Sequence, residues 1–371
     1  MSACVTIFYF LLIFDRLKRQ AEKFSPSLIV LSRFYLILTW ILFYRVKIII
    51  REFAGRAAYT VLKRQKGYFS VMIHAVIDMG SNSVRMSVYR CEDQEITLLM
   101  NQKRTIGLAG CVKNGLLTSE GIRRATQVLA EFKGIAEAFQ IGSLSAFATA
   151  SLRNIANQEQ VLHELTLAAG ITPEVISGEE EARLDFIGST RFLNLDTGVL
   201  VDIGGGSTEL VLFEDGKALN VSSFPIGSLN LYVDHVGGVF PEKTERKAIK
   251  RHIRAEFQKL CWKPEQDIPL LCAVGGTARA FKKLCTELLS VPADEKSLQV
   301  KYLEELHRML KQENSELRRR FYQVVPERIL NIQPGLMLLR ETARLFGSRE
   351  IVVSPYGVRE GYLIDKVLKK Q

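Results

Sequence analysis

Two acidic residues each close a short apolar run and are followed at once by small hydrogen-bonding residues. These stretches are Asp78-Met79-Gly80-Ser81-Asn82-Ser83 and Asp202-Ile203-Gly204-Gly205-Gly206-Ser207-Thr208-Glu209. A tight turn between strands can aim its backbone N–H groups outward and cradle an anion. Gly80 permits close approach of a phosphate, and Ser81, Asn82 and Ser83 add side-chain donors. Alone, the first stretch reads equally as an ordinary hairpin turn. The second is harder to dismiss, because three consecutive glycines in a hairpin are entropically costly. Backbone approach to phosphate would explain them, with a bulge-rich hairpin as the alternative. Asp202, Glu209 and Asp78 are hard oxygen ligands of the type Mg²⁺ prefers.

Three further stretches could do chemistry. In Ser177-Gly178-Glu179-Glu180-Glu181-Ala182-Arg183, Ser177 and Glu180 fit a capping box. Acidic residues at a helix start are also favoured by the dipole. A Glu from this cluster projecting into a cleft among other carboxylates and phosphates would have a raised pKa and could act as general base. In Ala148-Thr149-Ala150-Ser151-Leu152-Arg153, an Arg after a strand end can grip phosphate bidentately, or can simply be solvated. Val274-Gly275-Gly276-Thr277-Ala278 precedes a helical pattern, so it suits either an anion or close helix packing. The sequence contains no G-x-x-x-x-G-K-[ST], G-x-S-x-G or H-E-x-x-H pattern.

The elements that must position these residues follow from periodicity. Ile73–Asp78 reads as a buried strand, Val84–Val88 as its alternating return strand, and Glu95–Gln102 as a third. Thr118–Phe139 is an amphipathic helix with apolar steps of 3 and 4. Gln158–Ala169 is a helix closed by Gly170. Val199–Asp202 and Glu209–Phe213 repeat the strand, D-x-G turn and return strand, and Asp215-Gly216 signals a hairpin. The repeat fits a duplicated domain. From Glu242 to Leu310 the pattern is mostly helical, broken at Pro264, Pro269 and Gly275-Gly276. Helix, strand and helix are predicted around Gly335–Phe346, Ile351–Val353 and Gly361–Leu368.

The chain has 371 residues and a formal net charge of +10, a length that suits two lobes. Residues 1–71 hold 12 Lys or Arg against 3 Asp or Glu, and the rest hold 38 against 37. The basic character therefore sits in one segment, which argues against a nucleic-acid partner. That segment has two apolar runs, Val5–Phe14 and Phe34–Tyr44, each about half the length a spanning helix needs. It reads as a basic membrane anchor or interfacial helix, or as an over-extended start upstream of Met72. A signal peptide fits poorly, because no small-residue cleavage pattern follows. The six cysteines form no C-x-x-C pair, as expected for reduced thiols in the cytoplasm.

A phosphate clamped between two facing D-x-G hairpins is the arrangement of the actin, Hsp70 and sugar-kinase superfold. The stretches AVIDMGSNSVRMSVY (75–89), ATASLRNIANQEQVL (148–162), VISGEEEARLDFIG (175–188), LVDIGGGSTELVL (200–212) and AVGGTARA (273–280) make the match closer. In this order and spacing the chain resembles the exopolyphosphatase and guanosine-pentaphosphate phosphatase family over about residues 72–371. The resemblance implies an α/β fold of two ribonuclease-H-like lobes around a phosphate-binding cleft, often in a homodimer. Lobe I is expected at 72–178 and lobe II at 179–355, with a C-terminal helix at 356–371 returning to lobe I. It further implies Glu181 as catalytic base, Asp202 and Glu209 at the magnesium and phosphate site, and Arg153 on phosphate. The phosphate loops would be Asp78–Ser83 and Gly204–Thr208. The chain looks like the short form, without a C-terminal HD-type domain. Asn230 and Leu330 depart from the family pattern and put substrate preference in doubt. The implied reaction is Mg²⁺-dependent release of terminal phosphate from polyphosphate or guanosine pentaphosphate. A phosphotransferase of the same superfold and a non-catalytic sensor are the alternatives.

Overall fold

The computed structural model describes residues 71–369, apart from positions 93, 94, 194 and 313. The readings of the basic N-terminal segment lie outside the described residues. Among the described residues no helix is long and apolar enough to cross a membrane.

The chain opens with an antiparallel meander, β1 (Met72–Met79), β2 (Ser83–Glu92) and β3 (Glu95–Thr105). A small ribbon, β4 (Val112–Lys113) with β5 (Leu116–Leu117), leads into α1 (Ser119–Ala138). Thr118 caps α1 by accepting from the Gly121 N–H. β6 (Ser143–Ala148) then pairs parallel to β1, and β7 (Glu174–Val175) parallel to β6. Between them lie the short α2 (Ala150–Arg153) and α3 (Gln158–Ala169), which Gly170 ends at φ 64°. The resulting order is β3-β2-β1-β6-β7.

After α4 (Gly178–Thr190) the pattern repeats. β8 (Gly198–Ile203), β9 (Thr208–Glu214) and β10 (Lys217–Phe224) form the second meander. The β9–β10 turn uses Asp215 and Gly216, both at positive φ, as a type I′ hairpin requires. Helices α5 (Ser228–His235) and α6 (Lys243–Phe257) follow, then β11 (Leu270–Val274) and α7 (Gly275–Leu289). Last come β12 (Ser297–Gln299), α8 (Val300–Lys311), α9 (Ser315–Val324), α10 (Ile332–Leu345), β13 (Glu350–Val353) and α11 (Val358–Tyr362). The second sheet is ordered β10-β9-β8-β11-β13-β12. Both sheets thus run third-second-first-fourth, with two parallel strands beside each meander, and the second sheet adds β12 antiparallel at its edge. This is an α/β molecule with two ribonuclease-H-like sheets.

The strand β11 corrects the helical reading of 242–310. Leu271, Cys272 and Ala273 pair parallel with β8 on one side and β13 on the other. A five-residue run of apolar residues, buried on both faces, carries no period that separates it from a helix.

Each first strand is covered on both faces, which is why it reads as a continuous apolar run. From β1, Ala75, Ile77 and Met79 join a core with Ile122, Leu129 and Phe132 of α1. Val76 points the other way, into a cluster with Phe147, Leu184, Tyr362 and Leu363. In β8, Val199, Val201 and Ile203 face the largest core, while Leu200 meets Ala182 and Phe186 of α4. Helix α4 therefore touches clusters of both sheets, through Leu184 on one side and through Ala182 and Phe186 on the other. Residues 181 and 185 share a remaining face.

Candidate active site

The two D-x-G turns are built alike. Gly80 N–H donates to Ser83 O at 3.1 Å, and Gly204 N–H to Ser207 O at 3.0 Å. The turns face each other: a Cβ on Gly206 would lie 2.8 Å from Ser81 Oγ. The first turn is pinned by the end of β3, since Ile106 and Gly107 N–H both donate to Asn82 O. The second is pinned by α5. Ser228 N–H donates to Gly204 O at 2.9 Å, and Leu229 and Asn230 N–H to Gly205 O. Asn230 Nδ2 reaches Gly206 O at 3.2 Å, so this departure from the family pattern fastens the glycine loop. Gly227 backs the loop closely, for a Cβ there would lie 2.4 Å from the Gly205 carbonyl carbon.

Between the turns lies a cleft of about 140 Å³. Asp78, Gly80, Ser81, Asn82, Ser83, Glu181, Asp202, Gly204, Gly205, Gly206 and Ser207 all line it. Gly275 and Gly276 line it too. Gly275 stands at φ 83°, and a Cβ there would lie 2.1 Å from Asp202 Oδ1.

Three expected residues are not on the wall. Thr208 is fully buried, and its hydroxyl donates to Ile226 O at 2.6 Å. Glu209 pairs in register with Asp202 across β8–β9 but is 0% exposed. It accepts from Ser223 Oγ at 2.9 Å and lies 3.7 Å from Arg153. Arg153 holds carboxylates rather than the cleft surface: its Nη1 donates to Glu181 Oε2 at 2.9 Å and to Ile176 O at 3.2 Å.

Glu181 is 6% exposed. Burial pushes its pKa up to about 7, against the opposing pull of Arg153. Burial also raises Asp202 to about 6, opposed chiefly by Arg279. Asp78 is raised by burial, with Arg359 and Arg85 opposing. Ser177 caps α4 by accepting from the Glu180 N–H at 3.0 Å. The Glu180 carboxylate pairs with Lys366 rather than closing a capping box, which leaves Glu181 as the glutamate of the cluster that reaches the cleft.

Sequence reasoning missed the cationic side of the cleft and one further acid. Arg85 and Lys103 come from β2 and β3, Arg279 from α7, Arg328 from the turn before α10, and Arg359 from α11. Asp78, Arg85 and Lys103 are register partners across the first meander, so the row was readable once the hairpins were paired. Arg279, Arg328 and Arg359 have no local signal and converge only through the fold. The acid is Asp185, on the cleft wall four residues beyond Glu181.

Comparison with known proteins agrees with this geometry. The Ppx/GppA phosphatase family profile matches residues 87–370. Exopolyphosphatase 1 of Mycobacterium bovis is 25% identical over 300 residues, covering 79% of this chain and 87% of that protein. The crystal structure of the Aquifex aeolicus Ppx/GppA family member superposes with a TM-score of 0.68 at 29% identity, covering 81% of this chain and 99% of the other. An exopolyphosphatase from Cytophaga hutchinsonii, at 22% identity and TM-score 0.71, shares the fold over 80% of this chain and 98% of its own. With matched turns, a buried glutamate between them and a family match over most of its length, the chain belongs to the Ppx/GppA phosphatase family, hydrolases of phosphoanhydrides.

Proposed function

We propose that the chain releases terminal orthophosphate from a linear phosphoanhydride, inorganic polyphosphate or guanosine pentaphosphate, with Glu181 as general base. One observation carries this reading: a buried glutamate with a pKa near 7 lines a cleft between two matching anion-cradling turns. A base with a pKa close to the working pH is best placed to take a proton from water.

Magnesium fits the donors present. Asp202 Oδ1 is buried without a hydrogen-bond partner, and Gly275 leaves space directly against it. Among the described residues no group of three His, Cys, Asp or Glu forms a full cage. Mg²⁺ commonly uses one or two carboxylates and completes its shell with water and phosphate oxygens. Asp202 would hold it, with a second carboxylate of the cleft wall such as Asp78, and when bound it would offset charge on the transferred phosphate.

The residues of the chain do the rest. The two turns grip the terminal phosphate from opposite sides. Arg85 and Lys103 flank the first turn and attract the anionic chain. Glu181 takes a proton from water as the water oxygen bonds to the terminal phosphorus. The bond from that phosphorus to the bridging oxygen breaks, and the shortened chain leaves with the electron pair. Arg153 keeps the base in place. Free cysteines among the described residues support a cytoplasmic setting.

Orthophosphate release is measured with the full chain on long-chain polyphosphate and on guanosine pentaphosphate, with and without Mg²⁺ and with ADP added. Release from either substrate, dependent on Mg²⁺, is expected, falling about 10²–10⁴-fold in Glu181→Gln with substrate binding retained. Phosphate appearing on ADP instead would establish transfer. Binding without release in the wild type would leave a sensor.

A further inference from the structure

Asp185 lies on α4 four residues after Glu181, so both carboxylates share one helix face. It is 0% exposed, it lines the cleft, and neither of its carboxylate oxygens has a hydrogen-bond partner. The other acids on that wall each have a basic neighbour. Arg359 stands 3.9 Å from Asp78, Arg153 2.9 Å from Glu181, and Asp202 feels Arg279. Asp185 instead faces Asp202, Glu181 and Glu209, and besides burial these drive its pKa well above the usual carboxylate range. Arg359 feels its charge, yet makes no hydrogen bond to either carboxylate oxygen. An unpaired buried carboxylate is strongly unfavourable, so the site calls for a cation.

Asp202 provides the second half. It lines the same cleft as Asp185 and feels its charge, and its Oδ1 is likewise buried and unpartnered. Glycines leave room at both acids. A Cβ on Gly357 would lie 2.9 Å from Asp185 Oδ1, and one on Gly275 would lie 2.1 Å from Asp202 Oδ1.

We infer that Asp185 and Asp202 together are the protein ligands of a divalent cation, with Asp185 in the place that sequence reasoning assigned to Glu209. The inference rests on the magnesium-dependent reading proposed above. Two hard oxygen donors on a cleft wall, with open space beyond them, match the ligand number Mg²⁺ takes from protein before substrate oxygens complete its shell. Glu209 also has an unpartnered oxygen, Oε2, but it is off the cleft wall, with its Oε1 accepting from Ser223.

The test needs no turnover. Mn²⁺, an EPR-visible substitute for Mg²⁺, is titrated into the full chain as wild type, Asp185→Asn, Asp185→Ser and Asp202→Asn. In parallel, the rise in Tm on adding Mg²⁺ is recorded, since a ligand of the native state stabilises it by mass action. The wild type should bind Mn²⁺. Each variant should bind it at least about tenfold more weakly and lose the Mg²⁺-induced rise while still melting cooperatively. Mn²⁺ affinity in both Asp185 variants equal to wild type would overturn the inference and leave the magnesium reading standing. A wild type that binds no Mn²⁺ would overturn both, while orthophosphate release is judged separately.

Discussion

Arg153 links the proposed base, Glu181, to the rest of the molecule. By holding Glu181 at 2.9 Å it favours the carboxylate and partly offsets the burial that lifts the pKa to about 7. Activity should therefore rise as pH increases through about 7, the base working only when deprotonated. In Arg153→Gln that rise should move to higher pH, because the stabilising charge is gone; a pH–rate profile of kcat checks this. A midpoint that stays put would show that Arg153 does not tune the base. Stability carries the opposite sign. Glu181 has a raised folded pKa, so its contribution is fully present below about 4.5 and is lost as pH rises through about 7. The metal-free Glu181→Gln variant should then match wild type near pH 4.5. At pH 8 it should be more stable by on the order of 2 kcal/mol, as read by urea denaturation at the two pH values.

The D-x-G turns and Asp202 were legible because backbone chemistry leaves its own mark: consecutive glycines and an acid at a strand end, whereas Glu181 was singled out from its cluster by the family resemblance. Arg279, Arg328 and Arg359 were not, since each is an ordinary basic residue until the fold brings it to the cleft. Asp185 had a weak signal, an acid between Leu184 and Phe186 on a helix otherwise buried there. The sequence could not show how far Glu209 is buried, because Ser223 and Arg153 approach it only through the fold.

At the scale of elements, α4 must be set accurately, because it carries both Glu181 and Asp185. Its seat against α11 is made by glycines. A Cβ on Gly361 would lie 1.8 Å from Leu184 O, and one on Gly188 would lie 2.1 Å from Gly357 O. These obstacles are backbone atoms, so the helices must part. Gly361→Ala should destabilise the protein by about 1–3 kcal/mol. It should also lower kcat by up to roughly 10²-fold, the scale expected of an ångström-sized displacement of a catalytic group. Thermal melts and steady-state kinetics on the same sample would separate the two effects. Lost stability with unchanged kcat would mean that α4 holds its position without α11. The meanders were readable from period-two alternation and hairpin signals. β11 was not, because a short strand buried on both faces by its neighbours has no alternation to show.

Across the whole molecule, charge is segregated. The described body is near neutral, yet Arg85, Lys103, Arg279, Arg328 and Arg359 converge on one cleft. Arg85 is lowered by burial and by its Arg neighbours only to about 10, so it stays charged at neutral pH. Attraction for a long polyanion should weaken as the Debye length falls from about 10 Å at 0.1 M salt to about 3 Å at 1 M. KM for long-chain polyphosphate should therefore rise several-fold over that range, with kcat changed by less than about twofold. A salt-independent KM would show that the cationic wall does not recruit substrate.

The segment around α11 completes the first sheet from far along the chain. Tyr362 stacks on Phe147 at 4.9 Å, and Tyr89 Oη donates to Glu360 at 2.5 Å across 271 residues of chain. One face of the first sheet, with Val76, Tyr89 and Phe147, thus stays only partly covered, by Ile176 and Leu184, until the segment around Tyr362 is made, roughly 15–50 s after Tyr89 at usual rates of translation. During that interval the nascent chain offers an apolar surface to chaperones. Both phosphate turns can thus form before α4 gains the contacts with Gly357 and Gly361 that complete its seat.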